Sequence, residues 1–115
     1  MNIIIIEQNK IFRESLKTVL NQIHDFNVVF DTDCIDDLQS TNNEAIDFMI
    51  IDYSLWENAG NETIMQILSV HPSTKFLLLA NNKEECHYNR FKTIDTMLKN
   101  STKNEFEHKI RLLLK

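Results

Sequence analysis

Glycine and proline are almost missing: Gly60 and Pro72 are the only ones in 115 residues. A dinucleotide-binding fingerprint needs three glycines and a Walker A loop needs two, so both phosphate-cradling loops are excluded. Collagen-like, low-complexity and flexible-linker chains are excluded with them. Cysteine is scarce as well. Cys34 and Cys86 stand far apart, with no Cys or His at metal-ligand spacing, which suggests neither a disulfide framework nor a zinc site. The histidines (His24, His71, His87, His108) are equally scattered. No run of basic residues occurs, and 12 Lys and Arg against 17 Asp and Glu leave a net charge of −5. The electrostatic footprint of a nucleic-acid binder is therefore lacking, and any action on DNA runs through another domain or protein. The isoleucine run after Asn2 is too short for a signal peptide or a membrane span, so the expected location is the reducing cytoplasm.

What the chain does have is enough apolar residue for a core, 43% hydrophobic with 25% charged, over the length of a single domain, 1–115. Ile3-Ile4-Ile5-Ile6 is a β-branched run of the kind a strand buried on both faces requires. Behind it Ile11, Phe12, Leu16, Val19, Leu20 and Ile23 recur at helical spacing, predicting a helix from Lys10 to Ile23 with Asn9 as N-cap. Phe26 to Phe30 reads as a second strand, and Ile35 with Leu38 as a weak, acidic second helix. Asp47 to Asp52 is a third strand that stops at a carboxylate, followed by a polar and aromatic loop closing at Gly60. A helix carrying Ile64, Ile67 and Leu68 ends at His71-Pro72, because the residue before proline is pushed out of the helical region. Phe76 to Leu79 is a fourth strand, Asn82 to Lys92 a polar helix and Ile94 to Leu98 a fifth strand reaching Lys99. Thr102 with Glu105 forms a capping box that opens a last helix on Phe106, Ile110, Leu113 and Leu114.

Strand and helix thus alternate five times. Such alternation with near-continuous apolar strands means a parallel sheet covered on both faces, and right-handed crossovers leave few topologies. The fold class expected is α/β: a doubly wound five-stranded parallel sheet in order 2-1-3-4-5. In such sheets functional groups collect at the carboxyl ends of the strands, near the switch point between strands 1 and 3. Those ends carry Glu7 and Gln8, Asp52, Ala80 and Lys99. Carboxylates there suit a hard divalent cation such as Mg²⁺, and a lysine can hold a phosphoryl oxygen as a point charge.

On these residues the chain resembles a response-regulator receiver domain, the flavodoxin-like or CheY-like (βα)5 family, over essentially its whole length. IIIIEQNKIFRESL stands where the family has a strand, paired acids and an Arg-Glu-bearing first helix. DFMIIDYSLWENAGNE stands where it has its phospho-acceptor Asp, with Gly60 eight positions beyond Asp52. FLLLAN and MLKNSTKNEF match the fourth strand and the lysine-bearing fifth, and the Ser/Thr-led last helix is most similar to receivers of NarL/LuxR-type transcription regulators. The resemblance implies a phosphoprotein of two-component phosphorelay signalling, which takes a phosphoryl group from a histidine kinase onto Asp52. It further implies that Lys99 contacts that group, and that Mg²⁺ is held by Glu7, Gln8, Asp52 and the backbone carbonyl of Ser54.

Four departures make this an atypical receiver. Gln8 fills the second acid position and removes one negative charge from the metal site. Ala80 fills the Ser/Thr position and lacks the hydroxyl, a loss worth about 3–4 kcal/mol by analogy with an oxyanion donor. Thr96 fills the aromatic switch position, and Lys92-Thr93 replaces a small pair. Asp52 and Lys99 remain, either as a slow acceptor with weak Mg²⁺ dependence or as an ion pair retained because breaking it is costly. The balance slightly favours lost phospho-switching. Trp56 either gates the site or covers apolar surface, Glu57 could present a phosphate-like carboxylate to Lys99, and the Asp31-Asp33-Asp36-Asp37 cluster reads as a solvated helix start. Cys34 and Cys86 read as ordinary helix residues, and His87-Tyr88 as plain surface. The first expectation is a non-enzymatic interaction module that reaches an output domain, a protein partner or a second copy through an Asn82–Lys115 face. The alternative is a working Mg²⁺-dependent acceptor. A flavin domain of the same sheet order lacks support, since Glu7-Gln8-Asn9-Lys10 offers no anion nest.

Overall fold

The computed structural model describes residues 1–40, 45–87 and 94–115. Five parallel strands run β1 (Asn2–Ile6), β2 (Asn27–Thr32), β3 (Phe48–Asp52), β4 (Lys75–Ala80) and β5 (Asp95–Leu98), in spatial order β2-β1-β3-β4-β5. This is the expected topology. The four isoleucines of β1 are almost wholly buried because both faces of the sheet are covered. Ile3 and Ile5 join one core with Leu16 and Leu20 of α1 (Lys10–Asn21) and Phe106 and Ile110 of α5 (Lys103–Leu113). Ile4 and Ile6 point the other way, into a second core with Trp56 of α2 (Tyr53–Asn58) and Ile64 and Ile67 of α3 (Asn61–Val70). Alternation of side chains along a strand is what assigns one run of identical residues to two cores.

Helix α1 opens where expected: the Asn9 side chain accepts the Phe12 backbone N–H at 3.0 Å. It closes two residues before Ile23, and the chain turns into β2 through Asp25, whose φ of 75° is one that Asp tolerates better than most residues. β2 runs two residues past Phe30, because Asp31 and Thr32 continue the pairing with Ile5 and Ile6. The weak acidic helix is a 3-10 segment, Ile35–Ser40, that buries Ile35 and Leu38. The largest difference follows Asp52: the expected loop is helix α2, which buries Tyr53 and Trp56 on one side. α3 ends at the His71-Pro72 step as the proline requires. α4 is described over Lys83–His87, and the expected continuation to Lys92 lies outside the described residues, as do Tyr88 and the Lys92-Thr93 pair.

Register decides what gathers at the carboxyl edge. Ile6 pairs with Ile51, so Glu7 and Asp52 leave the sheet side by side. Asp52 pairs with Leu79 and Ala80 with Leu98, which brings Lys99 to the same edge, where its N–H donates to the Ala80 carbonyl at 2.9 Å.

Candidate functional site

Three charged side chains from three strand ends meet there. Lys99 Nζ donates to Glu7 Oε1 at 3.0 Å and lies 2.8 Å from Asp52 Oδ1. Glu7 is 1% exposed and Asp52 2%, so two carboxylates are buried around one ammonium. Burial alone lowers the Lys99 pKa. Hydrogen bonds to Asp52 and Glu7, with the charges of both, more than offset it and hold Lys99 above the ordinary lysine value. The Phe12 ring of α1 lies 5.6 Å from Nζ, close enough for a cation–π contact.

The backbone that carries Glu7 is pinned on both sides. Its N–H donates to the Thr32 carbonyl at 2.9 Å, and its carbonyl accepts Arg13 Nη1 at 2.8 Å. Arg13 is itself held by Asp31, 3.1 Å from Nε, and Lys17 takes the other Asp31 oxygen at 3.0 Å. Asp31 therefore leaves the acidic cluster for a structural ion pair. Asp36 and Asp37 sit in the first turn of the 3-10 segment, where Asp37 accepts the Thr32 hydroxyl. The Glu7 carboxylate also accepts the Asn9 N–H at 3.2 Å, tying the loop to the start of α1. Arg13 and Asp31 support the Glu7 backbone, a role that the sequence, which placed Asp31 in a solvated acidic cluster, did not reveal. The Arg at position 13 was visible in the sequence, but its target is a carbonyl that only the β1–β2 pairing brings near.

Glu7, Asp52 and Lys99 are thus brought together. Gln8 is exposed beyond them, and Ser54 is half-buried in the first turn of α2. Ala80 is fully buried beside Leu98, presenting a methyl at the end of β4. Thr96 is half-buried on β5, paired with Leu78. Trp56 is fully buried and packs against Phe76 with ring centroids 6.0 Å apart, so it covers apolar surface. Among the described residues the ion-pair partners of Lys99 are Glu7 and Asp52, not Glu57. Gly60 has φ −66° and open space where a Cβ would stand, so nothing steric demands glycine there.

A family model for the response regulator receiver domain matches residues 3–111. This chain is a response regulator receiver domain. No curated protein sequence matches it. Among solved structures it is similar to the Salmonella typhimurium RcsB response regulator, with a TM-score of 0.79 and 21% identity over 98% of this chain. It spans 59% of that RcsB chain. The signal receiver domain of the putative response regulator NarL from Mycobacterium tuberculosis gives a TM-score of 0.79 at 19% identity, over 98% of this chain and 94% of that one. A chain from the complex of the CheA3 P1 domain with CheY6 of R. sphaeroides gives 0.77 at 17% identity, over 98% and 95%. At these identities the likenesses show the shared fold, that of CheY-like receivers.

Receiver domains typically hold Mg²⁺ at this edge. Mg²⁺ asks for hard oxygen ligands in near-octahedral array. This receiver offers Glu7 and Asp52, and both carboxylates already contact the Lys99 ammonium. Among the described residues no group of three His, Cys, Asp or Glu is placed to hold a metal ion. With Lys99 on both carboxylates, the residues present fit a divalent ion poorly as the site stands. Among the described residues no helix is long and apolar enough to cross a membrane.

Proposed function

We propose that this receiver signals mainly through protein contacts in a two-component system, with phospho-switching at Asp52 impaired. The observation that carries the reading is the pair of replaced signal elements beside an intact acceptor. Fully buried Ala80 has no hydroxyl to meet a phosphoryl oxygen, and Thr96 has no ring to move when one arrives. A phosphoryl group on Asp52 would still be attracted by Lys99, but neither Ala80 nor Thr96 would carry its presence to the opposite face. The module then works as a non-enzymatic cytoplasmic adaptor, with weak divalent binding. The segment 82–115, with Leu112 53% exposed on α5, is the surface offered to an output domain, a protein partner or a second copy.

The second reading, a working acceptor, is favoured by the buried Asp52–Lys99 pair at 2.8 Å. In that case the Asp52 carboxylate attacks phosphorus in line, a P–O bond forms, and the bond to the histidine nitrogen of the kinase breaks. Lys99 stabilises charge on the transferring group. One experiment separates the two: acetyl phosphate with and without Mg²⁺, read by intact mass beside an Asp52→Asn control. Slow or absent phosphorylation supports impaired switching. Rapid, complete phosphorylation together with a change in association state or backbone NMR spectrum across β4 and β5 overturns it.

A further inference from the structure

Two buried carboxylates on adjoining strands repel one another and lose solvation, a cost that a cation between them offsets. In this fold the chain supplies one from its own β5. Lys99 reaches both acids at 3.0 and 2.8 Å, is only 18% exposed and is backed by the Phe12 ring. Gln8, the neighbour best placed in sequence to add a further acid, contributes none and is exposed. The other Glu7 oxygen, Oε2, is buried without a hydrogen-bond partner among the described residues, so the acid pair keeps unused acceptor capacity.

We propose that Lys99 is the tethered counter-cation of this site, holding Glu7 and Asp52 in place of a divalent ion and competing with such an ion for them. An ion entering between the carboxylates meets the ammonium at like-charge distance and must displace it from two contacts. Removal of the ammonium leaves a net charge of −2 in a buried pocket with Oε2 free, which is a receptive setting for a hard cation. The inference rests on the reading of an impaired receiver, but it is tested without any phosphoryl donor, so its failure leaves the phosphorylation experiment untouched.

The test titrates MgCl₂ into wild type, Lys99→Gln and Lys99→Arg, following the fluorescence of Trp56 and the melting temperature. Trp56 is the only tryptophan and lies one helical turn after Asp52. Lys99→Gln should bind Mg²⁺ at least about tenfold more tightly than wild type and recover melting temperature as Mg²⁺ rises. Lys99→Arg, which keeps the charge, should stay as unresponsive as wild type, and Glu7→Gln added to Lys99→Gln should abolish the gain. Equal Mg²⁺ affinity in wild type and Lys99→Gln overturns the proposal. If Lys99→Gln does not fold in EDTA, refolding on added Mg²⁺ supports it and no refolding counts against it. Wild type provides an independent arm: Mn²⁺ at equimolar concentration should leave the amide signals of Glu7 and Asp52 sharp, and their selective broadening overturns the proposal.

Discussion

Lys99 shares one ammonium between two buried acids, and that ammonium offsets the repulsion between them. Truncation to Met removes the cation and leaves Glu7 and Asp52 facing each other out of water, a loss of about 3–5 kcal/mol for a buried pair broken on one side. Lys99→Met should therefore lower the unfolding free energy extrapolated from urea titration by that amount at neutral pH, through a lower midpoint with an unchanged slope. The sign of the pH dependence follows from the direction of the shift. Lys99 is held above the ordinary lysine value of about 10.5 in the folded protein, against the pull of burial. Its contribution is fully present below that ordinary value and is lost as pH rises through the higher folded one. The stability difference between wild type and Lys99→Met, measured by urea titration at increasing alkaline pH, should hold level to the ordinary value and shrink above it. A difference that grows with alkali would contradict the geometry.

At the scale of elements, local chemistry explains where helices start and packing explains which segments become helices at all. Thr102 is the N-cap of α5: it accepts the Glu105 N–H at 3.2 Å, and Glu105 accepts the Thr102 N–H at 2.8 Å. Thr102→Ala should cost about 1 kcal/mol and speed amide exchange in the first turn of α5 before it affects the sheet. That box was readable from four residues, as was the Asn9 cap of α1. The segment after Asp52 was not. Six residues, Tyr53–Asn58, are too few for periodicity to rise above noise. They are helical because Tyr53 and Trp56 fill the second core, a partner that exists only once β3 and β4 pair. The site shows the same division. Strand ends named Glu7, Asp52 and Lys99, but that Lys99 bonds both acids while Gln8 stays outside depends on side-chain direction, which spacing does not carry. The Arg13 grip on the Glu7 carbonyl was equally out of reach.

For the molecule as a whole, the question is whether an event at one sheet edge can be felt on the proposed partner surface in the segment 82–115, which includes β5 and α5. Coupling needs an element with two arrangements that the event biases. On the function proposed above, the positions that would pass the event on are Ala80, which has nothing to reorient, and Thr96, which has no ring to bury or expose. Restoring both features should therefore restore reach. Ala80→Ser buries a hydroxyl in a site that is fully enclosed, and without a partner that costs about 1–3 kcal/mol, so the unphosphorylated double variant Ala80→Ser/Thr96→Tyr should melt below wild type. A phosphoryl oxygen on Asp52 would give the hydroxyl its partner and recover part of that loss. With acetyl phosphate present, amide shift changes should stay around residues 7, 52 and 99 in any phosphorylated wild type. In the double variant they should extend through β4 and β5 into α5. Equal spread in both proteins would mean that this receiver transmits through groups other than Ala80 and Thr96, and that its departures from the family pattern leave switching intact.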